Sequence, residues 1–382
     1  MRLTQAQRSF EDGDYATAIA LWGEALQKAD PSDKAALTIS LARAYAGADR
    51  HQEATGLLAR VVTETMSIQD LSQAVGLLAS SYEALGEWSA AIGAFDRYLE
   101  LEGSAAPYVR WHMAKAHEAL GEDERAVEQL AAIDLSDLPT PRRAEVLEEL
   151  ATVHRRLAGY DAALEAYERI LGFATLASYR ALILHKQGET LREAGREDEA
   201  QGLFARVLQE HPKSAAAYLS LLALDEMGAA KVTNLERGAI LYHAGQCSAS
   251  VKVLRRYLIS EPVREPARAH YYLGLAYEGL EEYGRAFKEY DVVIRQHPDD
   301  PLVADAWMSM ARAEASYGGD PSGIYHEFSR LYPDHRRAPE ALWRAGVALE
   351  RASEWERAAG FYRKLRTTYP SDPRAPEAQY CY

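Results

Sequence analysis

The sequence has little cysteine, and its two cysteines are poorly placed for cross-linking. Among 382 residues, Cys247 and Cys381 stand far apart in the chain. No Cys-x-x-Cys pair and no Cys/His spacing of the kind that binds zinc occurs. These absences exclude a disulfide-stapled domain, and we expect no metal site and no cofactor.

Long apolar runs and dense basic runs are also missing. No stretch of about 18 apolar residues occurs, so no membrane span is expected, and the N-terminal residues lack the apolar core of a signal peptide. Lysine and arginine total 43 against 57 acidic residues, a formal net charge of −14, and the basic clusters, such as Arg155-Arg156, are pairs. Because such a surface repels phosphate backbones, we expect no nucleic-acid partner.

Motifs of catalysis are not found either. There is no GxGxxG, GxxxxGK[ST] or GxSxG segment, and His326-Glu327 lacks the second histidine of a zincin helix. Acidic pairs such as Glu148-Glu149 are interpreted as solvated faces of an acidic helical protein. His117 and His154 fall where helices pack together, so packing is the preferred role. We therefore predict no catalytic residue in this chain.

What the sequence does contain is an internal repeat. A small residue is followed twelve positions later by alanine, and four positions after that by a bulky apolar residue. Seven segments match at this spacing: Ala42/Ala54/Leu58, Ala79/Ala91/Phe95, Ala114/Ala126/Leu130, Ala151/Ala163/Tyr167, Gly188/Ala200/Phe204, Gly274/Ala286/Tyr290 and Gly346/Ala358/Tyr362. Repeats of this length are typical of stacked helical hairpins.

The spacing has a physical explanation. The small residue and the alanine are predicted to lie on facing helices whose axes cross closely. The bulky residue lies one turn after the alanine on the same face, where we expect it to fill the gap against the next repeat. Glycine in the links, as in Leu85-Gly86-Glu87, ends the first helix in a left-handed conformation. Pro212, Pro298 and Pro370 stop the second helix.

These patterns predict an all-α fold, a right-handed α-solenoid of about ten hairpins. The hairpins begin near residues 1, 35, 72, 107, 144, 181, 232, 267, 302 and 339. We expect six hairpins in 1–212, an extra helix and connection in 213–231, four hairpins in 232–370 and the start of a further, truncated repeat in 371–382.

Aromatic residues outside the packing positions are the candidates for binding. Three residues before the small one, a first-helix side chain is expected to point into the inner groove. Four of those seven positions carry rings: Trp111, His185, Tyr271 and Trp343. Tyr108 lies one turn before Trp111, and this pair is the preferred spot. The rings could stack on sugars or on aromatic residues of a peptide, although packing between neighbouring helices is an equally simple explanation.

The period, the alanine spacing and the terminal His-Pro and Tyr-Pro place the chain in the tetratricopeptide (TPR)-like superfamily over nearly its whole length. Its order of elements resembles more narrowly the superhelical N-terminal region of bacterial soluble lytic transglycosylases. The residues concerned are the lone helix in 209–224, the segment Leu235–Gln246 and the closing repeat from Pro339. In that family a lysozyme-like domain follows and cleaves peptidoglycan with one glutamate. Its ES, GLMQ-like and AYN motifs do not occur here.

Two functions therefore stay open. The resemblance implies a non-catalytic part of a peptidoglycan-cleaving enzyme, in the periplasm or cell envelope, that positions a glycan strand. The alternative is a free-standing scaffold for a protein or peptide partner, a cytoplasmic adaptor or an envelope assembly factor. A carboxylate clamp of the chaperone type needs asparagine at inner positions, and the single asparagine, Asn234, makes it unattractive.

Overall fold

A computed structural model describes residues 2–63, 67–101, 105–229, 232–260 and 263–379. Within these ranges the chain forms 21 α-helices and two short 3-10 helices, Leu135–Asp137 and Glu377–Gln379, and no β-strand. The last residues of the predicted truncated repeat, 380–382, lie outside the described ranges. The fold is an all-α solenoid of helical hairpins, as predicted.

The helices group into two compact units. Unit 1 comprises residues 1–175 and 189–196, and unit 2 comprises residues 176–188 and 197–382, so that the helix Ala177–Glu193 contributes to both. The domain boundaries expected from the sequence, at 212 and 232, stay a prediction.

Unit 1 contains five hairpins, each made of two successive helices that pack on each other. The pairs are α1 Arg2–Glu11 with α2 Tyr15–Gln27, α3 Pro31–Gly47 with α4 His51–Val61, α5 Ile68–Ala84 with α6 Trp88–Glu100, α7 Ala106–Ala119 with α8 Asp123–Ala131, and α9 Thr140–Arg156 with α10 Tyr160–Phe173.

Unit 2 begins with residues 177–188 of α11 (Ala177–Glu193) and with α12 (Glu197–Glu210), where Gly188 packs on Phe204, and it ends with four more hairpins. Before those hairpins lies α13 (Ala215–Glu226), which packs on α12 and has no second helix of its own. The helices are α11 Ala177–Glu193, α12 Glu197–Glu210, α13 Ala215–Glu226, α14 Asn234–His243, α15 Cys247–Leu258, α16 Pro266–Gly279, α17 Tyr283–Gln296, α18 Val303–Tyr317, α19 Ser322–Leu331, α20 Ala338–Arg351 and α21 Trp355–Thr368. All ten first helices begin within four residues of the positions predicted from the repeat.

Close approach of helices explains the small residue of the repeat. A Cβ atom added at Gly274 would lie 2.5 Å from Cε1 of Tyr290, and Gly346 approaches Tyr362 equally closely. The bulky residue therefore packs on the glycine of its own hairpin. Glycine leaves a hollow on the first helix, and an aromatic ring of the second helix fills it. That the bulky residue also fills the gap against the next repeat stays a prediction.

The hairpin links confirm the predicted left-handed residue. Gly86, Gly121 and Gly195 have φ between 71° and 74°. In other hairpins the same conformation is adopted by residues with a side chain, including Asp49 at φ 61° and Ala158 at φ 56°. An L-residue in this region costs about 1–2 kcal/mol, whereas glycine adopts it readily.

Replacing Ala158 with glycine is therefore expected to raise the free energy of unfolding by about 0.5–1 kcal/mol, because the relief of backbone strain exceeds the entropy that glycine loses on folding. The urea midpoint measures the change. The reverse substitution, Gly121→Ala, is the control and should lower stability by a similar amount, since no atom lies within 4 Å of a Cβ placed there. An unchanged midpoint in both variants would contradict the strain argument.

Candidate functional site

Tyr108 and Trp111 lie together on α7 in unit 1, as their one-turn spacing predicts. Tyr108 is 42% exposed. The ring of Trp111 is half-buried and already has cationic neighbours: the ammonium nitrogen of Lys115 lies 3.6 Å and the guanidinium carbon of Arg142 4.4 Å from its centroid. The indole N–H donates a hydrogen bond to Glu149 of α9. We call these five residues the Trp111 cluster. A sugar or peptide ring that stacks on this indole would compete with these two cations for its faces.

Two further acidic side chains, Glu118 and Asp123, lie close to the Trp111 cluster. Glu118 of α7 accepts a hydrogen bond of 2.6 Å from Arg156, which also bonds Asp123 of α8. Burial, followed by the hydrogen bond and charge of Glu118, raises the pKa of Glu149 to about 7, although the hydrogen bond from Trp111 acts in the opposite direction. The interpretation of Glu149 as a solvated glutamate is therefore wrong. Its acidic neighbour, Glu118, belongs to another hairpin. The contact between them cannot be predicted from residues that are adjacent in the sequence.

The other three predicted residues lie in unit 2 and share one arrangement. Each ring lies against an aromatic side chain of the second helix in its own hairpin. The ring centroids are 5.4 Å apart for His185 and Phe204, 6.0 Å for Tyr271 and Tyr290, and 5.2 Å for Trp343 and Tyr362. Packing within the hairpin thus accounts for at least one side of each ring.

His185 and Tyr271 are also engaged by polar partners. Nδ1 of His185 lies 3.0 Å from the hydroxyl of Ser220 on α13. Burial raises the pKa of the Tyr271 hydroxyl, although Ser309 of α18 acts in the opposite direction. Neither residue lines one of the principal cavities of unit 2. Their role in binding stays a prediction.

Trp343 is different, because it lines a groove of about 360 Å³ along α20. The groove follows one face of the helix, as the spacing of its lining residues shows: Glu340, Trp343, Arg344, Val347, Ala348 and Arg351. Ala315, Pro321, Tyr325 and Arg374 form its margins. We call this the α20 groove. Its arginines went unnoticed in the sequence because they are spread over more than one helical turn and do not form a basic run.

The charges of the α20 groove are mostly paired. Arg344 bonds Glu340 at 2.8 Å, and Arg374 bonds Asp372 at 2.8 and 3.1 Å. Arg351 is exposed and has no hydrogen-bond or ion-pair partner in the part of the chain that the structure describes. The groove therefore combines the indole of Trp343, aliphatic side chains and the unpaired guanidinium of Arg351.

Other kinds of site are not suggested by the geometry. The described residues contain no group of three or more His, Cys, Asp or Glu side chains that could hold a metal ion. Cys247 is a free thiol, and Cys381 lies outside the described ranges. None of the helices among the described residues is both long enough and apolar enough to cross a membrane.

Comparison with known families gives the repeat its name. Models of the tetratricopeptide repeat match residues 3–67, 235–301 and 325–373, and further models of the same repeat match 74–104 and 183–214. Together the matches cover well over half of the chain. The chain belongs to the tetratricopeptide repeat family. A search of curated proteins found no match. Nothing in these comparisons links the chain to the lytic transglycosylases.

Several solved structures are similar to this chain at low identity. The nearly identical TPR-like repeats of a Podosopora anserina protein are 23% identical, cover 48% of this chain and 98% of their own, and give a TM-score of 0.39. BtubC from P. vanneervenii is 17% identical over 55% of this chain and 89% of its own, with a TM-score of 0.36. The structure of Naa15/Naa10 bound to HypK-THB is 16% identical, and the match covers 99% of this chain and 69% of that one, with a TM-score of 0.30.

Proposed function

We propose that this TPR chain is a protein-interaction scaffold and that the α20 groove binds a segment of a protein partner. The observation that carries the proposal is the composition of the groove in unit 2. It offers the half-buried indole of Trp343 beside Val347 and Ala348, and the unpaired guanidinium of Arg351 one turn beyond. An aromatic anchor next to an arginine is the combination that dominates binding energy in protein interfaces.

The chemistry of the groove indicates the kind of segment it would bind. An apolar or aromatic side chain of the partner would lie against Trp343, which lines the groove. A carboxylate placed about two turns further along α20 would form a bidentate pair with Arg351. Because Arg344 and Arg374 already have anionic partners, one acidic residue is enough, and a highly acidic peptide is not required.

Selection of peptides from a random displayed library on the full chain tests this proposal. We expect the selected peptides to combine an aromatic or large apolar residue with an acidic one, and Arg351→Ala to weaken their binding by about tenfold or more. Arg363→Ala, an exposed arginine of α21 outside the groove, is the matched control and should leave binding unchanged. Equal binding by the wild type and Arg351→Ala, with the fold intact by circular dichroism, would place the partner elsewhere.

A second candidate function is the placement of a peptidoglycan glycan strand, as the non-catalytic N-terminal part of a lytic transglycosylase. What supports it is the resemblance in the order of elements and the four rings at the predicted inner positions, since rings of this kind stack on sugars. Soluble peptidoglycan fragments should then change the tryptophan fluorescence of the full chain, and Trp111→Phe or Trp343→Phe should reduce the change. No response in the folded wild type would leave the protein partner as the better proposal.

A further inference from the structure

A pair of glutamates joins two neighbouring hairpins of unit 1 in an unusual way. Oε1 of Glu118 is buried, and no group among the described residues donates a hydrogen bond to it as the carboxylate stands. The second oxygen of Glu118 accepts a hydrogen bond from Arg156. Glu149, on the neighbouring first helix, accepts from Trp111 through Oε2 and lies within hydrogen-bond reach of Glu118. Two ionised carboxylates could only repel each other in this position.

A single proton resolves the conflict. If Glu149 is protonated, its hydroxyl donates to the otherwise unpaired oxygen of Glu118, and both carboxyl groups then have hydrogen-bond partners. Glu118 remains the ionised member, because Arg156 holds it in an ion pair. Burial of Glu149 acts in the same direction, since it disfavours a second negative charge. Such a proton would be a structural part of the contact between α7 and α9.

We propose that Glu149 and Glu118 share one proton at neutral and lower pH, and that its loss makes this contact a pH-sensitive element of the Trp111 cluster. Above the transition the two carboxylates repel across the α7–α9 interface. Trp111 would feel the change directly, because its N–H donates to Glu149 and its ring lies beside Lys115. The proposal concerns unit 1 alone and does not depend on partner binding in the α20 groove.

Charged groups of α7, α8 and α9 surround the pair. Arg156 of α9 bonds Glu118, and Lys115 of α7 acts on Glu149. One step further out, Arg142 of α9 lies over the ring of Trp111, and Asp123 of α8 bonds Arg156. Lys115 favours ionisation of Glu149 and is the group that opposes the shared proton. On the side of α9 that faces away from the pair, Nε of Arg155 donates a hydrogen bond of 2.9 Å to Glu193 of α11, so this cation is already paired.

The direction of the pH dependence follows from the raised pKa. In the unfolded chain a glutamate ionises near 4.5, whereas Glu149 ionises near 7 in the folded chain. The stabilisation that the shared proton gives is therefore complete below about pH 4.5 and is lost as the pH rises through about 7. Glu149→Gln keeps a hydrogen-bond donor for Glu118 but cannot ionise, so it should remove this component of the pH dependence.

A carbon-13 NMR titration of the glutamate carboxyl groups in the full chain tests the proposal. We expect one resonance to titrate near pH 7 in the wild type and to be missing in Glu149→Gln. Glu148→Gln is the matched control at the next position and should retain that resonance. The wild-type tryptophan fluorescence should also change around pH 7, and this change should be lost in Trp111→Phe.

A second variant distinguishes two causes of the raised pKa of Glu149, a proton shared with Glu118 and burial alone. Glu118→Gln removes the neighbouring charge, so the midpoint of Glu149 should fall by about one pH unit or more towards 4.5. If the resonance that Glu149→Gln removes titrates near pH 4.5 in the wild type, the proposal is overturned. It is also overturned if Glu118→Gln leaves that midpoint unchanged, because Glu149 would then respond to burial and not to its partner.

Discussion

Gly274→Leu is expected to lower the free energy of unfolding by about 1–3 kcal/mol. A Cβ atom at this position would lie 2.5 Å from Cε1 and 2.8 Å from Cδ1 of Tyr290, closer than any packed side chain tolerates. Tyr290 cannot move aside without cost, since it is fully buried and its hydroxyl donates a hydrogen bond to Glu278. Chemical denaturation of the full chain measures the change, provided that the transition of unit 2 is resolved.

The matched control is Gly284→Leu in the same hairpin. No atom lies within 4 Å of a Cβ placed at Gly284, and the residue is exposed on α17. Because leucine has a better helix propensity than glycine, this variant should be neutral or more stable by up to about 1 kcal/mol. Combining Gly274→Leu with Tyr290→Ala should recover part of the lost packing, because the ring that clashes is gone. A Gly274→Leu variant as stable as the control would show that the two helices do not meet at Gly274.

The hairpins could be predicted from the sequence because their signals are local and recur. Gly274 and Tyr290 are separated by a fixed interval that reappears at Gly346 and Tyr362, so each repeat checks the others. Gly86 and Gly121 likewise mark links where the backbone needs a positive φ. Each of these signals lies within one hairpin, where geometry is set by helix periodicity and turn chemistry.

The candidate sites were harder to predict because they depend on contacts between hairpins. Glu149 looked like any exposed acid of its helix, and only the placement of Glu118 on α7 shows that the two carboxyl groups meet. Arg351 looked like one of many arginines, and its lack of a partner depends on where Glu340 and Asp372 direct their own bonds. Side-chain pairs of this kind differ from one repeat to the next. The positions that recur in every repeat therefore do not predict them.

Glu278→Ala is expected to lower the free energy of unfolding by about 2–3 kcal/mol. Its carboxylate accepts a hydrogen bond of 2.7 Å from the hydroxyl of Tyr290 and bonds of 2.6 and 2.9 Å from Arg312 of α18. The side chain of Glu278 is 13% exposed, whereas that of Arg312 is 52% exposed. Water can therefore solvate the released guanidinium, and most of the cost comes from the buried hydroxyl that loses its acceptor.

Asp291→Ala on α17 is the control, since its ion pair with Arg295 is exposed and should contribute no more than about 0.5 kcal/mol. A double-mutant cycle with Tyr290→Phe isolates the buried hydrogen bond. Phenylalanine removes the hydroxyl that Glu278→Ala would leave unpaired, so the double variant should be more stable than the sum of the two single losses predicts. Additive losses, within about 0.3 kcal/mol, would mean that Tyr290 and Glu278 are not coupled. The ion pair with Arg312 would then be the contribution of Glu278 to the contact with α18, independent of Tyr290. A coupling of the expected size would instead make Glu278 the residue through which the hydroxyl of one hairpin and the arginine of the next are held together.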